Sequence, residues 1–379
     1  MATPPKPPGD ENRLESVAKA TATCAFCPSL CKHTCPVGTV TARESATPWA
    51  MMSVVDHLRT GRAELTDTLA RTLYLCNGCR ACTDFCVHHV DVEGALVEAR
   101  AWAVERGVRV FPEQRFVHPD LTEDQGALRE VRASERYEVR PVFSLFPGRA
   151  TLEHTPQAVD ELLSLADRLD VDALSCGSAA QHDTGYDLWF AGHHDAFLRQ
   201  ARSVVDAVSG AQDLVVMSPE ALYMMKVVYP RYGLRIGAEL LHTSEFLLPL
   251  LSGGVVERIP GRIGYHDSCH LARHLGIRDV PRQVLRRLLE EPPVELPLKG
   301  AETLCCGGTG CLTETRPDVA AAMAEEVVRW ALEIGLERLV SFSPECVASL
   351  RDAAGSRLRV DHAVTLAAEA IVSDGASVV

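Results

Sequence analysis

Apolar side chains in the first hundred residues recur at the spacing of helices. Thr47 followed by Pro48 predicts a helix start, and Gly61 predicts the end of that helix. Beyond about residue 140 short apolar runs alternate with amphipathic stretches, a pattern typical of helices layered on a sheet. The runs predicted as strands are Val171–Leu174, Leu214–Met217, Arg262–Tyr265 and Arg338–Phe342, and the longer predicted helices span 157–169 and 317–334.

Two short segments of this second region occur twice. Leu174–Gly177 resembles Leu304–Gly307, and Leu214–Ala221 resembles Leu339–Cys346. Such internal similarity predicts a tandem repeat. The first copy lacks cysteines that the second copy has, with Ser175 in the place of Cys305, Ala221 in the place of Cys346 and Gly148 in the place of Cys269.

These patterns predict an α+β protein with an all-helical N-terminal module followed by two tandem α/β domains. The proline-rich residues 1–19 are interpreted as a flexible leader. The helical module spans 20–107, and 108–139 form a connector. The first α/β domain covers 140–255 and is degenerate, whereas the second covers 256–379 and keeps its cysteines.

Charge and hydropathy exclude several classes of protein. The 379 residues carry 38 Lys and Arg against 51 Asp and Glu, a formal charge of −13, so general binding to nucleic acid is not expected. The N-terminus has no apolar core of a secretory signal, and no stretch approaches the roughly 18 to 20 apolar residues of a membrane span. We expect a cytoplasmic protein, with any membrane contact on the inner face made through a partner.

Eight of the 14 cysteines lie between residues 24 and 86, in two groups. The second group has the Cys-x2-Cys-x2-Cys-x3-Cys spacing of cubane iron–sulfur ligands, and the first differs by one inserted residue. In the crossed arrangement typical of two-cluster proteins, each group gives its fourth cysteine to the other cluster. The ligand sets would be Cys24, Cys27, Cys31 and Cys86 for one 4Fe-4S cluster, and Cys76, Cys79, Cys82 and Cys35 for the other. The alternative is two structural zinc sites, which usually use separated Cys-x2-Cys pairs.

A second cysteine pattern lies in the C-terminal repeat. It consists of Cys269, the adjacent pair Cys305 and Cys306, which glycines follow, and Cys346. Cysteines before glycines suit a turn where a cluster approaches the backbone. Cys311 is a candidate fifth ligand. The lone Cys176 is more typical of a small buried apolar residue than of a ligand.

Several histidines accompany these cysteines. His266, Asp267 and His270 flank Cys269, either as hydrogen-bonding or proton-transfer groups or as polar residues where a strand meets a loop. His88 and His89 follow Cys86 and are interpreted as a solvated pair. His242 and Glu245 either reach a site between the repeats or belong to a helix start, where Thr243 and Ser244 act as caps. The glycine-rich segment 306–310 lacks the order of a nucleotide-binding loop.

Taken together, the motifs resemble a family of iron–sulfur proteins in which a dicluster ferredoxin module precedes two cysteine-rich CCG domains. The resemblance covers roughly residues 20–370 and depends on the paired cysteine groups, on Tyr265–His270 and on Cys305–Gly308. The family includes iron–sulfur subunits of glycolate oxidase and anaerobic glycerol-3-phosphate dehydrogenase, lactate-utilisation proteins and catalytic subunits of heterodisulfide reductase. The resemblance implies a further iron–sulfur centre held by Cys269, Cys305, Cys306 and Cys346.

Two functions follow from this resemblance. The first is an electron-transfer subunit between a flavin-dependent dehydrogenase, acting on a small 2-hydroxy acid or polyol, and a quinone or other acceptor. The alternative is a disulfide reductase in which the four CCG cysteines are catalytic. The sequence departs from the heterodisulfide reductase pattern, because Ser343–Cys346 replaces the usual Cys-x2-Cys and the first CCG copy is degenerate. The first function is therefore favoured.

Overall fold

The computed structural model describes residues 13–108, 110–117, 143–169, 171, 174–176, 183–211, 213–251 and 256–371, with backbone alone for 174–176. The predicted leader lies outside these residues up to position 12, and most of the predicted connector, 118–139, lies outside them too. Among the described helices, none combines the length and the apolar character needed to cross a bilayer.

Helices alone make up the described part of the chain before residue 118. Residues 13–16 and the first turn of the helix from Ala18 are helical although they belong to the predicted leader, and Arg13 forms ion pairs with Glu98 at 2.8 Å and Glu105 at 2.5 Å. The helix predicted from Thr47 spans Pro48–Arg59, and the Thr47 hydroxyl accepts a hydrogen bond from the Ala50 N–H. The α-helices are α1 Arg13–Ser16, α2 Ala18–Ala25, α3 Pro36–Thr41, α4 Pro48–Arg59, α5 Asp67–Leu73, α6 Ala81–Phe85 and α7 Val92–Glu105, with 3₁₀ turns at Lys32–Thr34, Glu44–Ala46 and Glu113–Arg115.

In the part of the chain that the structure describes, eight short strands form two four-stranded sheets in which every pairing is parallel. The strand order is β2-β1-β3-β4 in the first sheet and β6-β5-β7-β8 in the second, so both have the same topology. The strands are β1 Phe143–Phe146, β2 Leu174–Cys176, β3 Asp213–Val216, β4 Glu239–His242, β5 Ile263–Tyr265, β6 Val294–Glu295, β7 Arg338–Ser341 and β8 Arg359–His362.

The pairing registers align the two copies residue by residue. Phe143 pairs with Asp213 in the first sheet, and Ile263 pairs with Arg338 in the second. Counting on from these pairs sets Ala221 beside Cys346 in the alignment, as the repeat in the sequence predicts. The structure thus supports the interpretation that the first copy replaces a cysteine at this position. The same count sets Gly148 beside Ser268 rather than Cys269. Because β2 pairs with β1 as β6 pairs with β5, Ser175 corresponds to Val294, and the predicted match of 174–177 with 304–307 is wrong.

Helices cover both sheets and connect the parallel strands. Residues 157–169 and 317–334, predicted as helices, form Gln157–Arg168 and Pro317–Glu333. The α-helices of this region are α8 Arg149–His154, α9 Gln157–Arg168, α10 Tyr186–Ala191, α11 His194–Ala207, α12 Pro219–Tyr223, α13 Tyr229–Arg231, α14 Thr243–Leu250, α15 Asp279–Leu288, α16 Leu312–Thr315, α17 Pro317–Glu333, α18 Pro344–Ala354 and α19 Ala363–Ala370, with π-turns at Met224–Val228 and His270–His274 and a 3₁₀ turn at Gly300–Glu302.

The two repeats share one apolar core. Leu145 and Met217 of the first repeat belong to the same buried cluster as Tyr265 and Phe342 of the second. The repeats therefore stabilise each other as one unit, since apolar area that either would expose alone is buried against the other.

The helical module packs against the first repeat through α7. Arg100 of this helix is fully buried, and its guanidinium donates to the carbonyl oxygens of Leu73 at 2.7 Å, Cys76 at 2.9 Å and Phe190 at 2.7 Å. Gly192 follows α10 with φ +90°, and a Cβ there would lie 2.5 Å from the Ala101 nitrogen. A glycine is required at this crossing because a side chain has no room against the backbone of α7.

We predict that Gly192→Ala weakens the packing of the helical module more than Gly233→Ala does. Both glycines have positive φ, but a Cβ at Gly233 would meet no atom within 4 Å. Gly233→Ala should cost about 1–2 kcal/mol from the left-handed backbone alone. Gly192→Ala should cost clearly more, as measured by thermal unfolding of anaerobically prepared protein. Equal losses of stability in the two variants would contradict the close approach.

Candidate metal centres

The first set of cysteines lies near the protein surface. Cys24, Cys27, Cys31 and Cys86 are all half-buried. Burial and, after it, the neighbouring thiols of Cys31, Cys86 and Cys27 together raise the pKa of the Cys24 thiol to about 12. The structure thus brings Cys86, from the second sequence group, together with the first three cysteines of the first group.

The second set, Cys35, Cys76, Cys79 and Cys82, lies deeper. Burial raises the pKa of Cys82, as do its neighbours Cys76, Cys35 and Cys79, and Cys31 of the first set contributes after them. The sulfurs of this set also accept backbone hydrogen bonds. Gly38 donates to the Cys35 Sγ at 3.5 Å, and Gly78 donates to the Cys76 Sγ at 3.3 Å. Such N–H donors favour bound thiolate.

The third set consists of four fully buried thiols in the second repeat. Cys306 Sγ lies 3.1 Å from Cys346 Sγ, and Cys305 Sγ lies 3.9 Å from Cys269 Sγ. A ring nitrogen of His266 and the sulfurs of Cys306 and Cys346 lie within 4.8 Å of one another, a spacing that suits a metal ion. Cys269 follows β5, Cys346 lies in the first turn of α18, and the adjacent pair lies in the loop before α16.

Glycines let the loop after Cys306 pass close to other backbone segments. Gly307 has φ +79°, and its Cβ would lie 2.7 Å from the Ala320 carbonyl oxygen. Gly310 has φ +72°, and its Cβ would lie 2.6 Å from the carbonyl oxygen of Asn77. The loop is therefore pressed against the helical module at the segment between Cys76 and Cys79.

Asn77 links the second and third sets of cysteines directly. Its Nδ2 donates to the Cys305 Sγ at 3.0 Å. A hydrogen bond from Cys305 also lowers the pKa of Cys79, although burial opposes this shift. Sequence reasoning missed Asn77, because a residue between two ligands carries no signal in one sequence. Only the folded chain places it beside a thiol 228 positions away.

The third set is surrounded by buried polar atoms that have no hydrogen-bond partner. These atoms are both ring nitrogens of His266 and of His270, the hydroxyls of Tyr265 and Ser268, and Nη2 of Arg273. Unpartnered donors are costly in a protein interior. Sulfide and thiolate accept hydrogen bonds, and iron binds thiolates strongly, so this donor set fits an iron–sulfur centre held by the four cysteines.

The flanking residues of Cys269 differ in their surroundings. His270 is buried against Tyr186 and Tyr223, and although burial lowers its pKa, the neighbouring Cys269 raises it above the ordinary value. Asp267 instead accepts from Arg282 at 2.6 and 2.8 Å and from the Gly300 N–H at 2.7 Å. Asp267 therefore fixes the loop after β6, whereas His266 and His270 are close to the thiols.

Other residues singled out in the sequence have different surroundings. Cys311 Sγ is 3.8 Å from the Asp187 carbonyl oxygen, and burial, followed by Asp187, raises the pKa of its thiol. His88 and His89 are exposed. His242 is itself the cap of α14, since its Nδ1 accepts from the Ser244 N–H while Glu245 accepts from the His242 N–H. The side chain of Cys176 lies outside the described residues.

Comparison with protein families accounts for both cysteine-rich regions. Residues 20–90 match the 4Fe-4S dicluster domain, and residues 263–351 match the CCG cysteine-rich domain. The chain thus combines a 4Fe-4S dicluster domain with a CCG domain. It binds two 4Fe-4S clusters in the former and a further iron–sulfur centre in the latter. The zinc alternative is wrong for the dicluster domain, because the matched family binds iron–sulfur clusters.

The relatives of this chain include subunits of two reductases and a lactate utilization protein. The chain is 27% identical over 321 residues to a subunit of the dihydromethanophenazine:CoB–CoM heterodisulfide reductase of Methanosarcina barkeri, covering 78% of this chain and 77% of the relative. It is 23% identical to a subunit of the CoM/CoB fumarate reductase of Methanothermobacter marburgensis, covering 74% of this chain and 57% of the relative. Lactate utilization protein A of Oceanobacillus iheyensis is 26% identical, covering 48% of this chain and 75% of the relative.

A hypothetical protein from Helicobacter pylori has a similar fold. Its crystal structure aligns with a TM-score of 0.57 at 9% identity, covering 96% of this chain and 76% of the other. At this identity the likeness shows the fold alone.

We predict that Cys306→Ser removes iron and sulfide from the CCG domain, whereas Cys311→Ala removes neither. The Cys306 sulfur lies among the clustered thiols, while the Cys311 sulfur faces a backbone carbonyl oxygen. Metal and acid-labile sulfide analysis with EPR spectroscopy of anaerobically purified protein measures both effects. An unchanged iron content and spectrum in Cys306→Ser would show that Cys306 is not a ligand.

Proposed function

We propose that this chain is the iron–sulfur electron-transfer subunit of an oxidoreductase complex. The observation that carries the proposal is the junction at Cys305, where Asn77 of the dicluster domain donates to a CCG thiol at 3.0 Å. Cys31 of the first set also lies close to Cys82 of the second set. The three cysteine sets therefore lie in series, from the half-buried first set to the fully buried third set. Iron–sulfur clusters bound there would exchange single electrons with a partner.

The cysteines divide into three ligand sets in this proposal. The first cluster is held near the surface and the second one below it, while the CCG centre uses the buried thiols beside His266 and His270. The proposed ligands are Cys24, Cys27, Cys31 and Cys86 for the first cubane, Cys35, Cys76, Cys79 and Cys82 for the second, and Cys269, Cys305, Cys306 and Cys346 for the CCG centre. Cys311 is not included, because its thiol faces Asp187.

The proposed partner is a flavin-dependent dehydrogenase of a small 2-hydroxy acid or polyol. This chain has no flavin or nicotinamide fingerprint in its sequence, so a partner must supply the organic chemistry. The name of the lactate-utilization relative supports a 2-hydroxy acid as the substrate of the complex. The proposed acceptor is a quinone or another oxidant, and a membrane-bound acceptor would hold the chain at the inner face of the membrane through the partner.

The surface over the first set suits a protein partner. Six large apolar side chains are highly exposed among the described residues, and four of them lie next to or between the cysteines of this set in sequence. These are Phe26 and Val87, exposed by 79% and 80%, with Leu30 and Phe85. Contiguous exposed apolar residues mark interaction surfaces.

The rim of this surface is basic, although the whole chain is acidic. Lys19 and Arg43 are exposed, and residues 16–43 contain no Asp or Glu. The charge of Lys32 is balanced by Glu44, 2.8 Å away, and the charge of Asp84 is balanced by Arg278, 3.8 Å away. The surface therefore favours a partner whose docking face is apolar and acidic.

We predict that Phe26→Ser slows electron transfer from the partner flavoprotein by tenfold or more. The matched control is Leu298→Ser, which changes an exposed apolar residue outside the cluster loops. Stopped-flow reduction of the clusters by the flavoprotein that copurifies with the chain measures the rate, and reduction by dithionite should be equal in both variants and the wild type. An equal loss of rate in both variants would show that electrons do not enter the chain at this surface.

The disulfide reductase alternative is favoured by one specific finding, the similarity of most of the chain to a heterodisulfide reductase subunit. Under this alternative the isolated, reduced chain turns over a disulfide, and Cys306→Ser abolishes the turnover. Inertness of the isolated chain toward disulfides, together with reduction of its clusters by the flavoprotein, would favour electron transfer instead.

A further inference from the structure

Arg273 is a buried cation with no carboxylate partner. Its side chain follows Cys269 on the π-turn His270–His274 and is only 6% exposed. The guanidinium donates to backbone carbonyl oxygens alone, from Nε to Cys79 at 2.5 Å and from Nη1 to Thr303 at 2.7 Å and Ala301 at 3.1 Å. Among the described residues no carboxylate lies within ion-pair distance of it, and Nη2 has no hydrogen-bond partner.

The charges nearest to Arg273 belong to thiols of two different sets. Burial lowers the pKa of the Arg273 guanidinium, and Cys79, Cys269 and Cys305 together raise it above its ordinary value; Asp84 adds less than any of the three. Cys79 belongs to the second cubane and the other two cysteines to the CCG centre. Arg273 thus lies at the junction of these two sets.

An isolated buried cation is unfavourable unless negative charge compensates it. Backbone carbonyl dipoles compensate the positive charge only in part, and Nη2 of Arg273 has no hydrogen-bond partner. An iron–sulfur centre with thiolate ligands supplies both negative charge and sulfur acceptors. The buried charge of Arg273 is therefore explained by the centres bound on either side of it.

We propose that Arg273 is a charge-compensating residue shared by the second cubane and the CCG centre, and that it raises the reduction potential of both. The proposal rests on the ligand sets of the proposed function. Reduction adds one negative charge to a centre, so a fixed positive charge nearby stabilises the reduced form.

Among the described residues, no arginine donates a hydrogen bond to the cysteines of the first cubane. The cations closest to them in sequence, Lys19, Lys32 and Arg43, are exposed and therefore screened by solvent and salt. Arg273 therefore acts on the two inner centres and leaves the outer one unchanged. Its charge thus favours reduction of the inner centres and not of the outer one.

The test is an EPR-monitored redox titration of the anaerobically purified holoprotein, with Cys27→Ser and Cys82→Ser used to assign the two cubane signals. In Arg273→Gln the ratio of reduced to oxidised centre at a fixed potential should fall at least tenfold for the second cubane and the CCG centre. For one electron this is a downward shift of at least 59 mV. The first cubane should keep its wild-type potential.

Two further variants separate charge from structure. Arg273→Lys keeps the positive charge and should restore both inner potentials toward the wild-type values. Arg338→Gln removes an arginine that is equally buried, with 6% exposure, but is paired with Asp361 and Glu369, and it should leave all three potentials unchanged. If Arg273→Gln fails to bind its clusters, Arg273→Lys and Arg273→Met are titrated in its place.

Unshifted inner potentials in a fully loaded Arg273→Gln or Arg273→Met variant would overturn the proposal, as would an equal shift of all three centres. So would an equal downward shift in Arg273→Lys, or loss of clusters from all three variants, because either result would assign Arg273 a structural role. These outcomes differ from a failure of the proposed function. That failure would appear in the wild type, as a missing centre or as clusters that the flavoprotein does not reduce.

Discussion

The fold depends on holding three groups of thiols inside a protein interior that disfavours their charged form. Burial alone raises the pKa of Cys24 and Cys82, and neighbouring sulfurs raise it further. Iron reverses this balance, because the metal binds the thiolates and neutralises their charge. Binding of the clusters would therefore be coupled to stability, and the chain places buried N–H donors, glycine turns and one arginine beside the thiols that would hold them.

The segment Cys76–Cys79 is the point at which the parts of the molecule meet. On one side, a Cβ at Gly78 would lie 2.6 Å from the ring of Phe190 in the first repeat. On the other side, Asn77 donates to Cys305, and the carbonyl oxygen of Cys79 accepts from Arg273, both in the second repeat. The same few residues thus include proposed cluster ligands and the contacts between domains. A substitution that weakens the domain contacts is therefore expected to disturb the ligands as well.

Sequence patterns sufficed for features that depend on local structure or regular spacing. The helix at Pro48, the parallel strands around Leu214 and Arg338, the repeat and the two families of cysteines follow from caps, apolar runs and ligand spacing. Contacts between residues far apart in the sequence could not be predicted from these patterns. The contacts of Asn77 and Arg273 depend on how the repeats and the helical module pack, and the neighbours of these residues in sequence carry no trace of it. The helix start at residues 242–245 is local and was predicted, but its cap is His242 rather than Thr243 or Ser244.

The degenerate first repeat retains a structural role that explains why it keeps its topology. Ser218, equivalent in the repeat to Ser343, donates to Glu345 at 2.8 Å, and Ser343 donates to the same carboxylate at 2.7 Å. Glu345 adjoins Cys346, so the first repeat helps to fix the helix start that carries this cysteine. One copy has kept the thiols, and the other supports them and packs against the dicluster domain through Gly192. The duplication thus provides two different surfaces beside the segment Cys76–Cys79: one repeat carries the thiols, and the other packs against the dicluster domain.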